Sequence, residues 1–422
     1  MAENKLKVLW LCNLMPQIIA EALGKQGTNK EGWIAGMSAV VRQHEDIELA
    51  FAFPYTEEIK GVTSDISYYG FVEDGEHPEW YDETLEKKLS DICDDYKPQV
   101  IHCFGTEYPH TLALLKNDKL REIAVVHLQG IMELYAEAYY SDLPEYVINR
   151  RTFRDIIRKD SIVQQKQKYL SRANFEKEVL RQAKNVCGRT EFDHDYAYQI
   201  NNEVNYYKLG ETLREQFYAG NWDREKVTKH TIFASQGNYP LKGIHFAIEA
   251  VGLLKKKYPD IRLCVSGDNV TRYESLKDKI KLSSYGKYLR DLMKKYSVES
   301  NVSFVGQKNA DEMKKLFLAS ELFLVPSVLE NSPNSLGEAM MLGMPIVSAR
   351  VGGIPSMATE SEVAMYSYND VEELASKIDM MFSDHKLADS MGENGKYRGQ
   401  QNHSKEGNYK VMLEMYKSIA GI

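Results

Sequence analysis

The chain has 422 residues, 43% apolar and 27% charged, with a formal net charge of −8. That length predicts two domains of roughly 200 residues each, and the acidic balance argues against a general nucleic-acid binder. Five scattered cysteines (Cys12, Cys93, Cys103, Cys187, Cys264), with no C-x-x-C, argue against a disulfide framework or a zinc site and suit a reduced cytosolic interior. The first residues run straight into a strand, so no signal peptide is expected. No apolar run approaches a membrane span, so the expected location is cytoplasmic and any membrane contact peripheral.

Lys7-Val-Leu-Trp-Leu-Cys12 reads as a first buried strand. A loop then reaches Gly32, Trp33 and Gly36, and a helix is expected through Val41. G-x-G-x-x-G is absent, which argues against a nicotinamide or flavin site. Leu49–Phe53 is a strand, followed by a polar, tyrosine-rich stretch and a helix over about 83–96. Gln99–Phe104 and Ala124–Leu128 are further strands. Strands alternating with helices predict a parallel, doubly wound sheet. His102 and His127 fall near the ends of neighbouring strands, the edge where such sheets bind ligands. Either one could equally be a packed structural histidine.

Residues 150–184 read as one long helical stretch with eleven Lys and Arg against four acids. It could be a solvated face, or a patch for anionic membrane headgroups or a phosphorylated acceptor. Val186–Thr190 is a short strand, and Thr190 with Asp193 resembles a helix cap. The Asp193-His194-Asp195 pattern is therefore expected to cap, not to bind a metal.

A second unit begins after Gly210. Thr231–Ala234 is its first strand, and Pro240-Leu241-Lys242-Gly243 ends the loop before a helix. A lysine placed there could reach a diphosphate, though any surface lysine fits that description. Further strands follow at 261–265 and 302–306. Leu322–Val325 is a buried strand that stops at Pro326. Pro333, Asn334 and Ser335 then read as a helix start, and Gly343 and Pro345 as its stop. This puts Glu330 in a loop at a strand's carboxyl end and Glu338 one turn into the helix. Two carboxylates and free helix amides around one crevice suit a phosphorylated, polyhydroxylated ligand. A plain surface helix could also carry an acid at each end.

Glu330-x7-Glu338, Gly343-Met-Pro345, Val351-Gly-Gly-Ile-Pro355, Phe304-Val-Gly306, Pro326-Ser327 and Pro240-Leu-Lys242-Gly243 occur together, in order. In this the chain resembles the retaining glycosyltransferases of the glycogen-synthase-like group, also called group 1 or family four. The resemblance implies the GT-B fold: two Rossmann-like, doubly wound parallel-sheet domains facing a cleft. It implies an acceptor-side domain over 1–208, a donor-side domain over 209–400 and a helix in 401–422 crossing back onto the first domain. It further implies transfer from a nucleotide-diphosphate sugar, UDP-linked by preference, to a hydroxyl of a glycan or lipid-linked acceptor in surface polysaccharide or glycolipid assembly. No metal or other cofactor is expected.

By the same resemblance Glu330 and His127 serve the chemistry near the anomeric carbon. Glu338 binds the ribose, and Lys242 with the amides around Asn334, Ser335 and Leu336 takes the diphosphate. Gly32 matches the phosphate-side glycine of the first domain. The usual basic residue shortly before Lys242 is replaced by Gln236-Gly237-Asn238, which leaves Arg189 as a candidate second cation. A GT-B epimerase or phosphorylase, or a non-catalytic nucleotide-sugar-binding scaffold, are the alternatives.

Overall fold

The buried run at the start of the chain forms β1 (Leu6–Leu11). The strands that join it are β2 (Ile47–Tyr55), β3 (Ile59–Thr63), β4 (Ile66–Val72), β5 (Val100–Phe104), β6 (Ala124–His127), β7 (Asn185–Gly188) and β8 (Asn205–Lys208). They make an eight-stranded sheet in the order β3-β4-β2-β1-β5-β6-β7-β8, parallel except for the β3–β4 pair. The second sheet holds β9 (Thr228–Ala234), β10 (Arg262–Val265), β11 (Val302–Phe304), β12 (Ser320–Val325), β13 (Ile346–Ala349) and β14 (Ala364–Tyr366). Its order is β11-β10-β9-β12-β13-β14, and every pairing is parallel. β5, β6, β12 and β13 are buried along their whole length and β1 at every position but Lys7, and all are largely apolar, as expected of parallel strands covered on both faces.

The computed structural model describes residues 5–25, 32–64 and 66–422. Its contacts divide into two units. One holds Met1–Glu133, Tyr169–Arg214 and His403–Ile422; the other holds Leu134–Lys168 and Glu215–Asn402. The expected 1–208 boundary therefore changes in two ways. Residues 134–168 leave the first unit, and the chain passes to the second at Arg214–Glu215.

The core of the first unit forms around β1. Trp10 meets Phe51 and Phe104 edge-on, with ring centroids 5.6 and 5.1 Å apart. Met412 and Tyr416 of the last helix, Lys405–Ala420, are buried in the same cluster. In the second unit Phe233 of β9, Phe323 of β12 and Phe317 pack with centroids 4.8 to 5.9 Å apart. Offset and edge-to-face rings of this kind contribute about 0.5–1.5 kcal/mol per pair beyond their burial.

Two stretches depart from expectation. The tyrosine-rich segment after Phe53 is a β-hairpin, β3 with β4. It escapes the apolar signal because edge strand β3 alternates half-buried with exposed residues. The basic stretch 150–184 is two helices, Phe153–Arg158 and Ile162–Gln182, separated where Lys159 turns left-handed at φ 51°. Several of its cations are already engaged: Lys177 with Glu133, Lys184 with Glu122, Arg172 with the Glu107 carbonyl at 2.8 Å, and Lys166 over the Tyr140 ring. It is not one free cationic face. Asp193 sits in a capping box with Thr190, as its position predicts.

Candidate active site

In the second sheet the strand order reverses between β9 and β12. Such a switch point opens a crevice at the carboxyl ends of the two strands. The β9 exit runs through a short turn, Pro240–Lys242, to Gly243 and the helix Ile244–Leu254. Gly243 lies at φ 64°, and a Cβ there would sit 1.8 Å from the Pro326 carbonyl at the β12 exit. The Val328 amide donates to the Leu241 carbonyl at 2.8 Å. The two loops are therefore in backbone contact, and only glycine permits it.

Lys242 donates to Glu330 Oε1 at 2.5 Å, and Ser327 Oγ donates to the same oxygen at 2.6 Å. Glu330 is buried, whereas the Lys242 side chain keeps 18% exposure. Burial pushes the Lys242 ammonium down, but the Glu330 carboxylate and the hydroxyls of Tyr239 and Tyr135 outweigh it, so the net shift is upward. Lys242 is a fixed cation at any ordinary pH. The Glu330 backbone is clamped from the other side. Gly352, at φ 50°, leaves no room for a Cβ, which would lie 2.0 Å from the Glu330 carbonyl, and the Gly353 amide donates to that carbonyl at 3.0 Å. The Val351-Gly-Gly turn after β13 thus fixes the loop that carries Glu330.

The helix Asn334–Leu342 follows. Pro333 is its extended N-cap residue rather than its first helical residue, and no side chain caps it. Asn334 and Ser335 open the helix but do not cap it. Leu336 donates its amide back to the Pro333 carbonyl at 2.9 Å, and Asn334 Oδ1 is buried with no hydrogen-bond partner among the described residues. Amides of an uncapped first turn carry the positive end of the helix dipole. Glu338 is buried one turn further on, and Gly343 closes the helix at φ 75°.

Lys242, Glu330, Asn334, Ser335, Leu336 and Glu338 thus lie on two adjoining strand exits and the helix that follows. His127, Arg189 and Gly32 belong to the first unit. Gly32 opens the helix Gly32–Val41 and lies under Arg214, whose Cδ would be 2.6 Å from a Cβ there. Arg189 is buried against Glu211 at 2.6 Å and donates to the Gln129 carbonyl at 2.9 Å. Its charge is paired with a buried carboxylate, as that of Lys242 is, and its side chain keeps only 6% exposure against 18% for Lys242. Gln236 and Asn238, where a basic residue was expected, hydrogen-bond to each other at 3.1 Å.

His127 ends a chain that the sequence does not announce. Trp10 Nε1 can only donate, and it donates to the Tyr416 hydroxyl at 3.0 Å. That hydroxyl lies 2.6 Å from His102 Nδ1 and can donate to it. Burial holds His102 neutral, with its pKa lowered to about 3, and its Nε2 lies 3.2 Å from His127 Nδ1 and 3.6 Å from Cys187 Sγ. Burial, His102 and Arg189 keep His127 neutral as well. Its Nε2 is buried with no partner among the described residues. With Tyr416 donating to His102 and His102 to His127, the proton of neutral His127 lies on Nε2 and can be donated.

Residues 221–398 match the family described as Glycosyl transferases group 1. The second unit carries a glycosyl transferases group 1 domain. Among curated relatives of this domain, the sulfoquinovosyl transferase SQD2 of Arabidopsis thaliana is 24% identical over 180 residues, 42% of this chain and 32% of its own length. The chain thus spans about a third of that relative. Among solved structures, a sucrose-phosphate synthase of Thermosynechococcus elongatus superposes with a TM-score of 0.66 at 16% identity, covering 98% of this chain and 99% of its own. HepE of Anabaena, in complex with UDP and glucose, superposes at 0.64 and 14% identity, covering 98% and 100%. At such identities the likeness concerns the fold, which is GT-B, with two parallel-sheet α/β domains. The group 1 domain contains the whole Lys242, Glu330 and Glu338 set.

Sequence reasoning gave no role to Ser327, to the Gly352 clamp or to the Trp10–Tyr416–His102 chain. Ser327 had a signal, lying three residues before Glu330 at a strand exit. The chain to His127 had none, because Tyr416 is 406 positions from Trp10.

Proposed function

We propose that this chain is a retaining glycosyltransferase that moves a sugar from a nucleoside-diphosphate sugar, UDP-linked by preference, to a hydroxyl of a glycan or lipid-linked acceptor. Surface polysaccharide or glycolipid assembly is the process that fits. The observation that carries the reading is the buried Glu330 carboxylate held by Lys242 and Ser327 beside an uncapped helix start. Lys242 and the amides of Asn334 and Ser335 take the diphosphate, and Glu338 accepts from the ribose hydroxyls. As the anomeric carbon–oxygen bond breaks, negative charge grows on the diphosphate and positive charge on the sugar ring. A fixed ammonium meets the first and the Glu330 carboxylate the second. The acceptor oxygen then bonds the anomeric carbon from the face the diphosphate leaves, and its proton passes to a diphosphate oxygen. No metal is assigned a step. For His127 the proposed role is donation from Nε2–H to a sugar oxygen.

A thermal-shift screen against a panel of nucleotide sugars tests the donor, because a ligand of the folded state raises the melting temperature. UDP-sugars should raise it most. No shift with any nucleotide sugar, together with no nucleotide released in the presence of acceptors, would overturn the reading.

A further inference from the structure

Two short helices of the second unit, Phe153–Arg158 and Leu276–Lys281, lie beside one another. The first exposes Phe153 at 59%, Ile156 at 61% and Ile157 at 64%; the second exposes Leu276 at 75% and Ile280 at 46%. Spacings of three and four residues put each set on one helical face. Scattered exposed apolar residues are ordinary, but five large ones on two adjoining helices are not. The opposite side of the first helix is pinned. Asp155 is buried and accepts from the Thr152 amide at 3.0 Å and the Ser284 amide at 3.1 Å, while Ser284 Oγ donates to the Val147 carbonyl. The apolar face therefore cannot turn inward without breaking a buried carboxylate's hydrogen bonds.

The same helices carry positive charge. Residues 145–160 hold five Arg and Lys against three acids, and residues 272–281 hold four against two, in a chain whose net charge is −8. Arg151, Arg158, Lys159, Lys277 and Lys281 are exposed and make no ion pair among the described residues. A second copy docking face to face would bring these cations together. An anionic lipid surface would meet the cations with headgroups and the apolar side chains with its acyl boundary.

We propose that Phe153, Ile156, Ile157, Leu276 and Ile280 form a membrane-docking surface for anionic phospholipid. This goes beyond the transfer reaction and does not depend on it. It also moves the contact from the whole 150–184 stretch to one apolar face on two helices that carry their own exposed cations. A cavity of about 420 Å³ lies next to this surface, lined by Arg154, Asp155 and Ser284 together with Asn238, Tyr239 and Pro240. Docking would place the loop that leads to Lys242 close to the lipid.

The test is co-sedimentation of the purified full chain with vesicles of phosphatidylglycerol and phosphatidylcholine, against phosphatidylcholine alone. The expected result is binding to the anionic vesicles only, weakening as salt rises. The exposed-site variant Ile156→Glu/Ile157→Glu/Leu276→Glu should bind on the order of tenfold less or worse, with an unchanged melting temperature to show that it is folded. The proposal is overturned if the wild-type chain ignores anionic vesicles at low salt, if it binds both vesicle types equally, or if the folded variant binds as the wild type does. Light scattering adds one more refuting outcome: a wild-type dimer that the variant splits, without vesicle binding, would make the face a contact between copies.

Discussion

Lys242 and Glu330 are paired at 2.5 Å before any ligand arrives. On the proposed mechanism a diphosphate must share Lys242 with that carboxylate. This gives Glu330→Gln effects of opposite sign on binding and on turnover. The amide is isosteric, and its oxygen can still accept from Ser327 and Lys242, so the loop keeps its shape. What goes is the negative charge competing with the diphosphate. A hydrogen bond to a charged group contributes roughly 1.5–3 kcal/mol. If about half of that is released to the ligand, UDP should bind about 3- to 10-fold tighter. Turnover should fall by a factor on the order of 10²–10³, the scale for losing one transition-state partner. Calorimetric titration with UDP and initial rates of UDP release from the UDP-sugar found in the screen give the two numbers. If the variant binds UDP more weakly than the wild type while its melting temperature is unchanged, Glu330 does not compete for Lys242. If its turnover is near normal, Glu330 has no part in the chemistry.

Glu338→Ala should weaken UDP binding on the order of 10- to 100-fold, the equivalent of roughly 1.5–3 kcal/mol for bonds to a charged acceptor; an unchanged Kd by calorimetry would refute the ribose role. Gly352→Ala should cost about 1–3 kcal/mol in urea unfolding, because a Cβ at φ 50° would press on the Glu330 carbonyl 2.0 Å away. Acid should destabilise the chain. Burial lowers His102 to about 3 and His245 and His403 to about 4, so between pH 6.5 and those values the unfolded chain binds protons that the folded one cannot. At pH 5 each of the three costs about 2 kcal/mol. Glu176, raised by burial to about 7, works the other way, since its folded form gains a proton as pH falls from 7 towards 4.5, returning about 2 kcal/mol. The net expectation is a melting temperature clearly lower at pH 5 than at pH 7, and a flat profile would contradict it. Nitrogen NMR of the ring nitrogens should find His102 and His127 neutral with the proton on Nε2 in the wild type, and a mixture of tautomers in Tyr416→Phe; a wild-type proton on His127 Nδ1 would break the chain of reasoning.

The sequence shows the parts of this protein that depend on burial and on local turns. Strands β1, β5, β6 and β12 are mostly apolar, broken only by Lys7, His102, His127 and the Ser320-Glu321 start of β12, and the helix that holds Glu338 is bounded by Pro333 and Gly343, so both were legible from period and punctuation. The edge hairpin β3–β4 was not, because half of its side chains meet solvent and carry no apolar signal. The split of 150–184 was also invisible. Its break is a single left-handed Lys159, and two of the partners that neutralise its cations, Glu133 and Glu122, lie 44 and 62 positions from the lysines they meet. Contacts between distant residues also decided Arg189, which a sequence can show to be basic but not to be bound to Glu211.

That last pairing bears on how the donor would be held. With Arg189 buried against Glu211, and Gln236 and Asn238 bonded to each other, none of these three offers the second cation a diphosphate usually meets. On the proposed reading the burden falls on Lys242 and on the first-turn amides of Asn334–Leu342. Helix amides contribute about 0.3–1 kcal/mol when exposed and up to about 2 when partly buried, less than a charge-assisted bond. Lys242 should then dominate donor affinity more than one member of a cation pair would. Removing it does two things at once, because Glu330 is left buried beside Ser327 with no counter-charge. Lys242→Met should therefore weaken UDP binding and also destabilise the fold by about 3–5 kcal/mol. The double variant Lys242→Met/Glu330→Gln should recover most of the stability but none of the affinity. If the two losses recover together, Lys242 acts only by holding Glu330 and makes no contact of its own with the diphosphate.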